Sequence, residues 1–347
     1  MAKRPPTDQL IPILISIDAE PDGTFIDLKQ RVPWHGFEHS EAVIEGWRED
    51  ISRATGRAAH FTWLLRMDPQ IEKVYGSLGW CVESHGKRLE GLARQGDEIG
   101  LHVHPFRWSR QDDQWVLDYG NQDWVENCVE QGHRAFTQAL GYPPRSFSMG
   151  NSWLNQPTVR ILEKLGIDYD LSLLPGTGPT PIQDLAGPLG RVTGHRPDCS
   201  NLPRHPFRPA VDDFASPDAT RRNQGPWVIP ITTGNYRWPL WRRVAGRLRG
   251  PTRQRGQMTK LGLELGPAML EAGLAEALGA SPRPHLLMTT RSHTFLPAFR
   301  RVQSRMRRSL RRLLAHPQAG CFAFSTPAEA LEVLGLEVQE GSRSSVP

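Results

Sequence analysis

The sequence has only four cysteines in 347 residues, Cys81, Cys128, Cys199 and Cys321, and no Cys-x-x-Cys. That scatter argues against a disulfide framework or a thiolate metal site, and makes reduced thiols in a cytoplasmic protein the expectation. No apolar run is long enough to cross a membrane. The stretch 10–17, behind Lys3 and Arg4, is too short for a signal-peptide core and runs straight into Asp18, so it reads as a first strand. Internal repeats, zinc-finger spacing and an aromatic ladder are all missing, so no specific nucleic-acid partner is expected. An acidic excess is missing too. The net charge is +5, and the basic surplus is local, in 237–255 and 300–312. In the second segment Val302, Met306 and Leu310 interrupt the arginines, the pattern of a basic amphipathic helix. Such a face is commonly just solvated. It is otherwise a candidate for weak contact with anionic surfaces, whether phosphate, lipid or glycan.

What is present describes a soluble globular chain, with 38% hydrophobic residues and a mean hydropathy of −0.48. Eleven tryptophans are many for this length. They serve either as packing aromatics or as faces on which sugar rings stack. Strand-like segments at 10–17, 60–65, 98–102, 227–232 and 285–290 alternate with helix-like ones at 40–55, 83–95, 124–140, 157–165 and 262–278. Ser40 is the expected N-cap of the first helix. Alternation of this kind favours an α/β fold with parallel strands. The pattern dissolves into Pro, Gly, Asp and Arg across 177–225, expected as an irregular segment over one face, and 341–347 reads as a polar tail.

Chemistry concentrates where apolar runs end. Asp18 and Glu20 close the first, followed by Pro21 and Asp22, and His102 and His104 close the third. Residues two apart on a strand project from the same face, so two acids and two imidazoles can converge. Carboxylate with imidazole is the donor set of a catalytic zinc or a similar divalent ion. Asp68 and His293 also follow apolar runs and have a route to the same face.

Taken in order, these segments resemble the NodB-homology polysaccharide deacetylases, in a divergent branch with Asp-x-Glu for Asp-Asp and His-x-His for His-x-x-x-His. The supporting stretches are Asp18-Ala19-Glu20-Pro21-Asp22, then Glu98-Ile99-Gly100-Leu101-His102-Val103-His104-Pro105, Ser146-Phe147-Ser148-Met149-Gly150-Asn151, 162–173, 227–232 and Ser292-His293. The resemblance spans 10–334 and implies a distorted (β/α) barrel as one domain, with 335–347 as a C-terminal tail. It implies a metal-dependent hydrolase that removes acetyl groups from N-acetylated sugars of a glycan or glycoconjugate. It further implies Asp18 as general base toward water and His293, near its ordinary pKa, as general acid toward the leaving amine. Glu20, His102 and His104 become ligands of a divalent metal, with zinc expected and Asp22 competing with Glu20.

Two departures stand out. Phe106 occupies the position of the family's usual second His, so His104 substitutes for it. Ser148 occupies the position of an Arg that positions the base, and Ser carries neither the charge nor the fork of donors. Arg291 and Arg66, near strand ends, are the expected replacements. Asp170 is expected to be a structural buried acid. The alternatives are an amidase or esterase of the same fold on a non-sugar substrate, and a glycan-binding or assembly protein without catalysis.

Overall fold

The computed structural model of the chain describes residues 10–23, 31–182, 191–221, 224–234, 258–281 and 283–336. Strand β1 (Ile11–Ala19) is buried along nearly its whole length because both faces are covered. Its Ile13, Ile15, Ile17 and Ala19 pack outward, in the large core shared with the helices. Leu14 faces the other way and meets Leu64, Tyr169, Leu171, Ile229, Ile231 and Leu287. A continuous apolar run thus serves two cores, one between sheet and helices and one inside the curl of the sheet.

The chain continues through α1 (His35–Thr55), β2 (Thr62–Arg66), α2 (Pro69–Tyr75), α3 (Trp80–Arg94), β3 (Glu98–Val103), β4 (Phe106–Ser109) and β5 (Gln114–Asp118). Then come α4 (Gln122–Leu140), β6 (Ser146–Met149), α5 (Gln156–Lys164), β7 (Tyr169–Asp170), β8 (Thr180–Pro181), β9 (Arg191–Thr193) and β10 (His195–Arg196). The last part holds β11 (Trp227–Val228), β12 (Thr233–Gly234), β13 (Thr259–Lys260), α6 (Pro267–Gly279), β14 (Leu286–Arg291), α7 (Arg300–Leu314), β15 (Phe322–Phe324) and α8 (Pro327–Val333). The main sheet has the order β11-β7-β6-β3-β2-β1-β14, every pair parallel, with β15 also on β1. Past Val228 the backbone stays extended and spans the remaining gap. Ile229 N donates to Asp170 O at 2.9 Å and Ile231 N to Leu173 O at 2.9 Å. Thr232 N then donates to Leu287 O at 3.0 Å, and Leu287 N donates to Thr232 Oγ1 at 2.9 Å. The two ends of the sheet are thereby joined, and the fold is a distorted (β/α) barrel, as expected.

Differences from the expected elements have local causes. Helix α1 starts five residues before Ser40, and Ser40 lies inside it, buried, donating to Phe37 O at 2.6 Å. The cap comes from outside the helix: the Asp22 carboxylate accepts from His35 N and Gly36 N, both at 2.8 Å. A tertiary cap leaves no adjacent Ser/Thr/Asp/Asn signal. The helix expected at 262–278 breaks at Gly266, whose φ of 96° separates a 3₁₀ turn from Pro267. Helix α2 and the small sheet β4-β5-β9 were not foreseen, because their segments are too short for periodicity. Among its described residues the stretch 177–225 carries the short strands β8, β9 and β10. The Arg-rich 237–255 and the tail 341–347 lie outside the described residues.

Among the described tryptophans, Trp34, Trp47, Trp63, Trp115 and Trp153 are buried, and Trp80, Trp108, Trp124 and Trp227 are half-buried. The five buried ones pack in the core. Trp34, for instance, sits 5.3 Å from Trp80 between ring centroids.

Closure of the barrel buries His285, whose Nε2–H donates to Pro230 O at 3.3 Å. Burial pulls its pKa down from 6.5 to about 4. Between those values the unfolded chain binds a proton that the folded protein refuses, so this residue's contribution to stability falls as pH drops through that window. Replacing it with Phe is expected to flatten the stability–pH curve there by about 1.4 kcal/mol per pH unit relative to the parent. Parallel urea titrations of both proteins across that range would show it, and equal slopes would remove His285 from the acid response.

Candidate metal centre

In a parallel barrel the strand C-terminal ends open to one face. Register sets which side chains meet there. Asp18 lies beside Leu64 on β2 and Arg291 on β14, and Leu64 lies beside Gly100. Two residues further along, Arg66 pairs with His102, and His102 with Ser148. Glu20 sits one residue past β1, at this upper level. It is anchored through its backbone, because Ser292 Oγ accepts from Glu20 N at 3.1 Å and donates to Glu20 O at 2.9 Å.

Glu20, His102 and His104 are all buried, and one ligand atom from each lies within 4.8 Å of the others. His102 Nε2 and His104 Nε2 are 3.0 Å apart, and His104 Nε2 is 4.0 Å from Glu20 Oε2. A tetrahedral ion with ligands at 2.0–2.1 Å has ligand–ligand edges of about 3.3 Å, so the trio needs only small adjustment to hold one. Asp22, the alternative ligand, is occupied at the start of α1, and Pro21 separates the two acids.

The tautomers follow from the partners. His102 Nδ1–H donates to Ser148 O at 2.9 Å, which leaves the Nε2 lone pair facing inward. Ser148 therefore holds a candidate ligand through its backbone, although it lacks the guanidinium of the resembling family. His104 Nε2–H donates to that lone pair, and a bound cation would displace this proton. Burial first, then Arg66, His102 and Arg291, drive the His104 pKa well below its ordinary value. The ring is neutral, as a ligand must be.

Around the trio lies a charged frame. Arg66 Nη1 is 3.8 Å from Glu20 Oε2, and Arg291 Nε is 3.5 Å from Glu20 Oε1. Arg66 is wholly buried and gives Nε to Asp68 Oδ2 at 2.7 Å and Nη2 to Gln70 Oε1 at 2.5 Å, with its guanidinium 5.2 Å from the Phe106 ring. Asp68 also accepts from His104 N at 3.3 Å and caps α2 through Gln70 N and Ile71 N. One buried carboxylate thus ties a helix start, the Arg66 guanidinium and a candidate ligand together. The sequence signal for this network was the polar Arg66-x-Asp68-x-Gln70 directly after a buried strand. Asp68 follows an apolar run and Arg66 is the expected stand-in for the absent Arg, but Gln70 carries no sequence signal of its own and was missed.

Four buried polar atoms here have no hydrogen-bond partner among the described residues: Glu20 Oε1, Arg66 Nη1, His104 Nδ1 and His293 Nδ1. A single orphan of this kind costs about 1–3 kcal/mol, so several at one place mark a site shaped for a ligand. With the O,N,N donor set and the spacing above, the residues fit a divalent ion.

His293 lies in the turn after β14, buried, with its ring 5.4 Å from that of Phe299. Burial, aided by Arg291 and opposed by Asp18, lowers its pKa to about 4 rather than leaving it near 6.5. At neutral pH the imidazole is uncharged. The expected replacements for the absent Arg also differ from expectation. Among the described residues neither Arg66 nor Arg291 comes within ion-pair range of the Asp18 carboxylate, and both reach Glu20 instead. The charge of half-buried Asp18 acts on His293 and on Lys260, whose Nζ donates to Thr289 Oγ1 at 2.5 Å. Lys260 was missed because a lone Lys after a loop carries no sequence pattern. Asp170, expected as a structural acid, is fully buried and accepts from Ser172 Oγ at 2.6 Å, and burial raises its pKa to about 7.

Two close approaches fix the histidine positions. At Gly36 a Cβ would meet Ser292 O at 2.5 Å, so only glycine lets α1 press against the His293 turn. At Gly150 a Cβ would lie 2.1 Å from the His104 ring. Gly150→Ala is therefore expected to displace His104 and weaken divalent-ion binding by about tenfold to a hundredfold, the scale of disturbing a ligand's support. Titration of the purified variant with zinc would measure this, and parental affinity would show that the ring is free to move.

No family model and no curated protein matches the sequence. Solved structures do. A protein from Parabacteroides distasonis assigned as a glycoside hydrolase/deacetylase superposes with a TM-score of 0.52 at 15% identity, covering 93% of this chain and 70% of that one. A protein from Mycobacterium smegmatis assigned as a polysaccharide deacetylase gives 0.49 at 12% identity, over 97% and 95% of the two chains. At 15% identity the first likeness is one of fold alone, and the fold is the barrel that the motif order implied.

Proposed function

We propose that this protein is a metal-dependent hydrolase of the NodB-homology polysaccharide deacetylase kind, cleaving the acetamide of N-acetylated sugars in a glycan or glycoconjugate. The observation that carries the proposal is the meeting of Glu20, His102 and His104, with orphaned polar atoms around them, at the strand ends of this barrel. Those three residues would hold the ion, with zinc favoured by two imidazoles and one carboxylate. Such an ion supplies Lewis-acid polarisation of a carbonyl and lowers the pKa of water from 15.7 to about 7.

The chain's own residues then divide the work. Asp18 takes the proton of the attacking water, and Lys260 and His293 are the cation and imidazole that feel its charge. His293, neutral at rest, receives the proton that Asp18 took from water and passes it to the leaving nitrogen, which returns Asp18 to its ionised form and spares a charged imidazole from standing ready in a buried turn. Arg66 and Arg291 hold the Glu20 carboxylate between them. The barrel places no constraint on the acyl group's carrier, so the sugar rests on the motif resemblance.

A second reading, a glycan-binding protein without catalysis, is favoured by one observation: Ser148 offers only its backbone carbonyl where the family has Arg. Acetate release from a panel of N-acetyl sugars and glycans, with the zinc-loaded protein, separates the two. Release that depends on Asp18 supports the hydrolase. Glycan binding without release from any member supports the second reading.

A further inference from the structure

The remaining feature without a role is α7. Its apolar side, Met306, Leu310 and Leu313 with Ser309, is buried in the core, so the helix is fixed in place. Its outer side carries Arg300, Arg301, Arg307, Arg308 and Arg311, all exposed. The helix holds no Asp or Glu. Arg312 is bidentate to Glu271, with Nη2–Oε1 at 2.7 Å, and Arg305 donates to Glu264 O at 3.1 Å. Among the described residues none of the other five has an acidic partner within 4.0 Å. At 100° per residue these five fall within an arc of about 120°, along a helix roughly 22 Å long. A row of like charges is mutually repulsive, and among the described residues no carboxylate pairs with these five.

We propose that this arginine face is a docking surface for an anionic lipid bilayer. The shape decides the occupant. The row is straight, convex and as long as the helix, whereas a single phosphate needs a concave site with two or three converging donors. No aromatic side chain interrupts the row to stack on bases. A bilayer presents many phosphates in one plane, which guanidinium forks engage without a groove. Among the described residues no helix is long and apolar enough to cross a membrane, and the apolar side of α7 is already used inside the protein. The contact is therefore electrostatic, at the headgroup level, and reversible by salt. Phe299, directly before α7, packs against His293, so the first arginines of the row stand at the strand-end face that holds the metal centre. The docking proposal does not depend on the hydrolase reading, because none of these arginines belongs to that centre.

The test uses the full chain in co-sedimentation with two kinds of vesicle, pure phosphatidylcholine and phosphatidylcholine containing about one third phosphatidylglycerol. Binding is expected only to the anionic vesicles, with release at about 0.5 M salt. The combined Arg307→Gln, Arg308→Gln and Arg311→Gln variant should lose partitioning roughly a hundredfold, about fivefold for each charge removed near the surface. A control combining Arg53→Gln, Arg94→Gln and Arg110→Gln removes the same net charge from exposed sites elsewhere and should bind as the parent does. Thermal melts would verify that both variants fold. Equal binding to both vesicles, an unaffected α7 variant or an equally weakened control would each overturn the proposal. Tighter binding to duplex DNA than to the anionic vesicles, lost in the α7 variant, would overturn it in favour of nucleic acid.

Discussion

His102→Ala is expected to cost at least a hundredfold in zinc affinity while leaving the fold intact. The estimate starts from the scale of losing a ligand's support, about tenfold to a hundredfold, which loss of the ligand itself should exceed. Two observations make this a clean change. Among the described residues the ring bonds Ser148 O and His104 alone, so its removal strips no charge of a partner. The strand itself stays paired on both sides, to β2 and β6. Glu20→Gln is the harsher companion, because it strips the partner of two guanidiniums, one wholly buried. Arg66 keeps its 2.7 Å pair with Asp68, so the variant removes one of two carboxylate partners rather than stranding the charge, and it should melt only modestly earlier. Metal content after dialysis and the melting temperature together distinguish ligand loss from unfolding. Full zinc occupancy in His102→Ala would exclude His102 from the centre.

The second large effect is on turnover. Asp18→Asn is expected to retain zinc and lose about 10²–10⁴ in kcat/KM on whichever acetylated sugar the parent hydrolyses. Asn keeps the shape of the side chain and cannot take a proton. Asp18 is not among the converging ligand atoms of Glu20, His102 and His104, so metal binding and catalysis should separate in this variant. The same experiment bears on the missing guanidinium. If Lys260 is the cation that supports Asp18, Lys260→Met should lower turnover with zinc unchanged. Parental rates in Asp18→Asn would move the base elsewhere and dismantle the assignment. Parental rates in Lys260→Met would leave Asp18 without a cationic partner among the described residues.

Much of this architecture was legible because it is written in short-range pattern. Apolar runs bounded by polar residues announced β1, β2, β3 and β14, and each supplied its chemistry at the C-terminal end, where a parallel barrel opens. The alternation of a strand put Asp18, Glu20 and His102, His104 into same-face pairs before any neighbour was known. Those are properties of the chain alone, fixed by backbone geometry and by the separation of apolar from polar side chains.

What the tertiary structure decided is everything that depends on a partner distant in sequence. Glu20 and Asp22 are equivalent acids until α1 arrives with unsatisfied N–H groups and takes Asp22 for its cap. Arg66 and Arg291 are equally plausible partners for Asp18 until the register of β1 with β2 and β14 turns both toward Glu20. Lys260 meets Thr289 and the charge of Asp18 only because β13 and Leu261 return to the barrel, and His293 becomes a neutral imidazole only because closure buries it beside Arg291. Charge, burial and hydrogen-bond demand are settled by distances between segments, and a linear pattern fixes directions along the chain but not those distances.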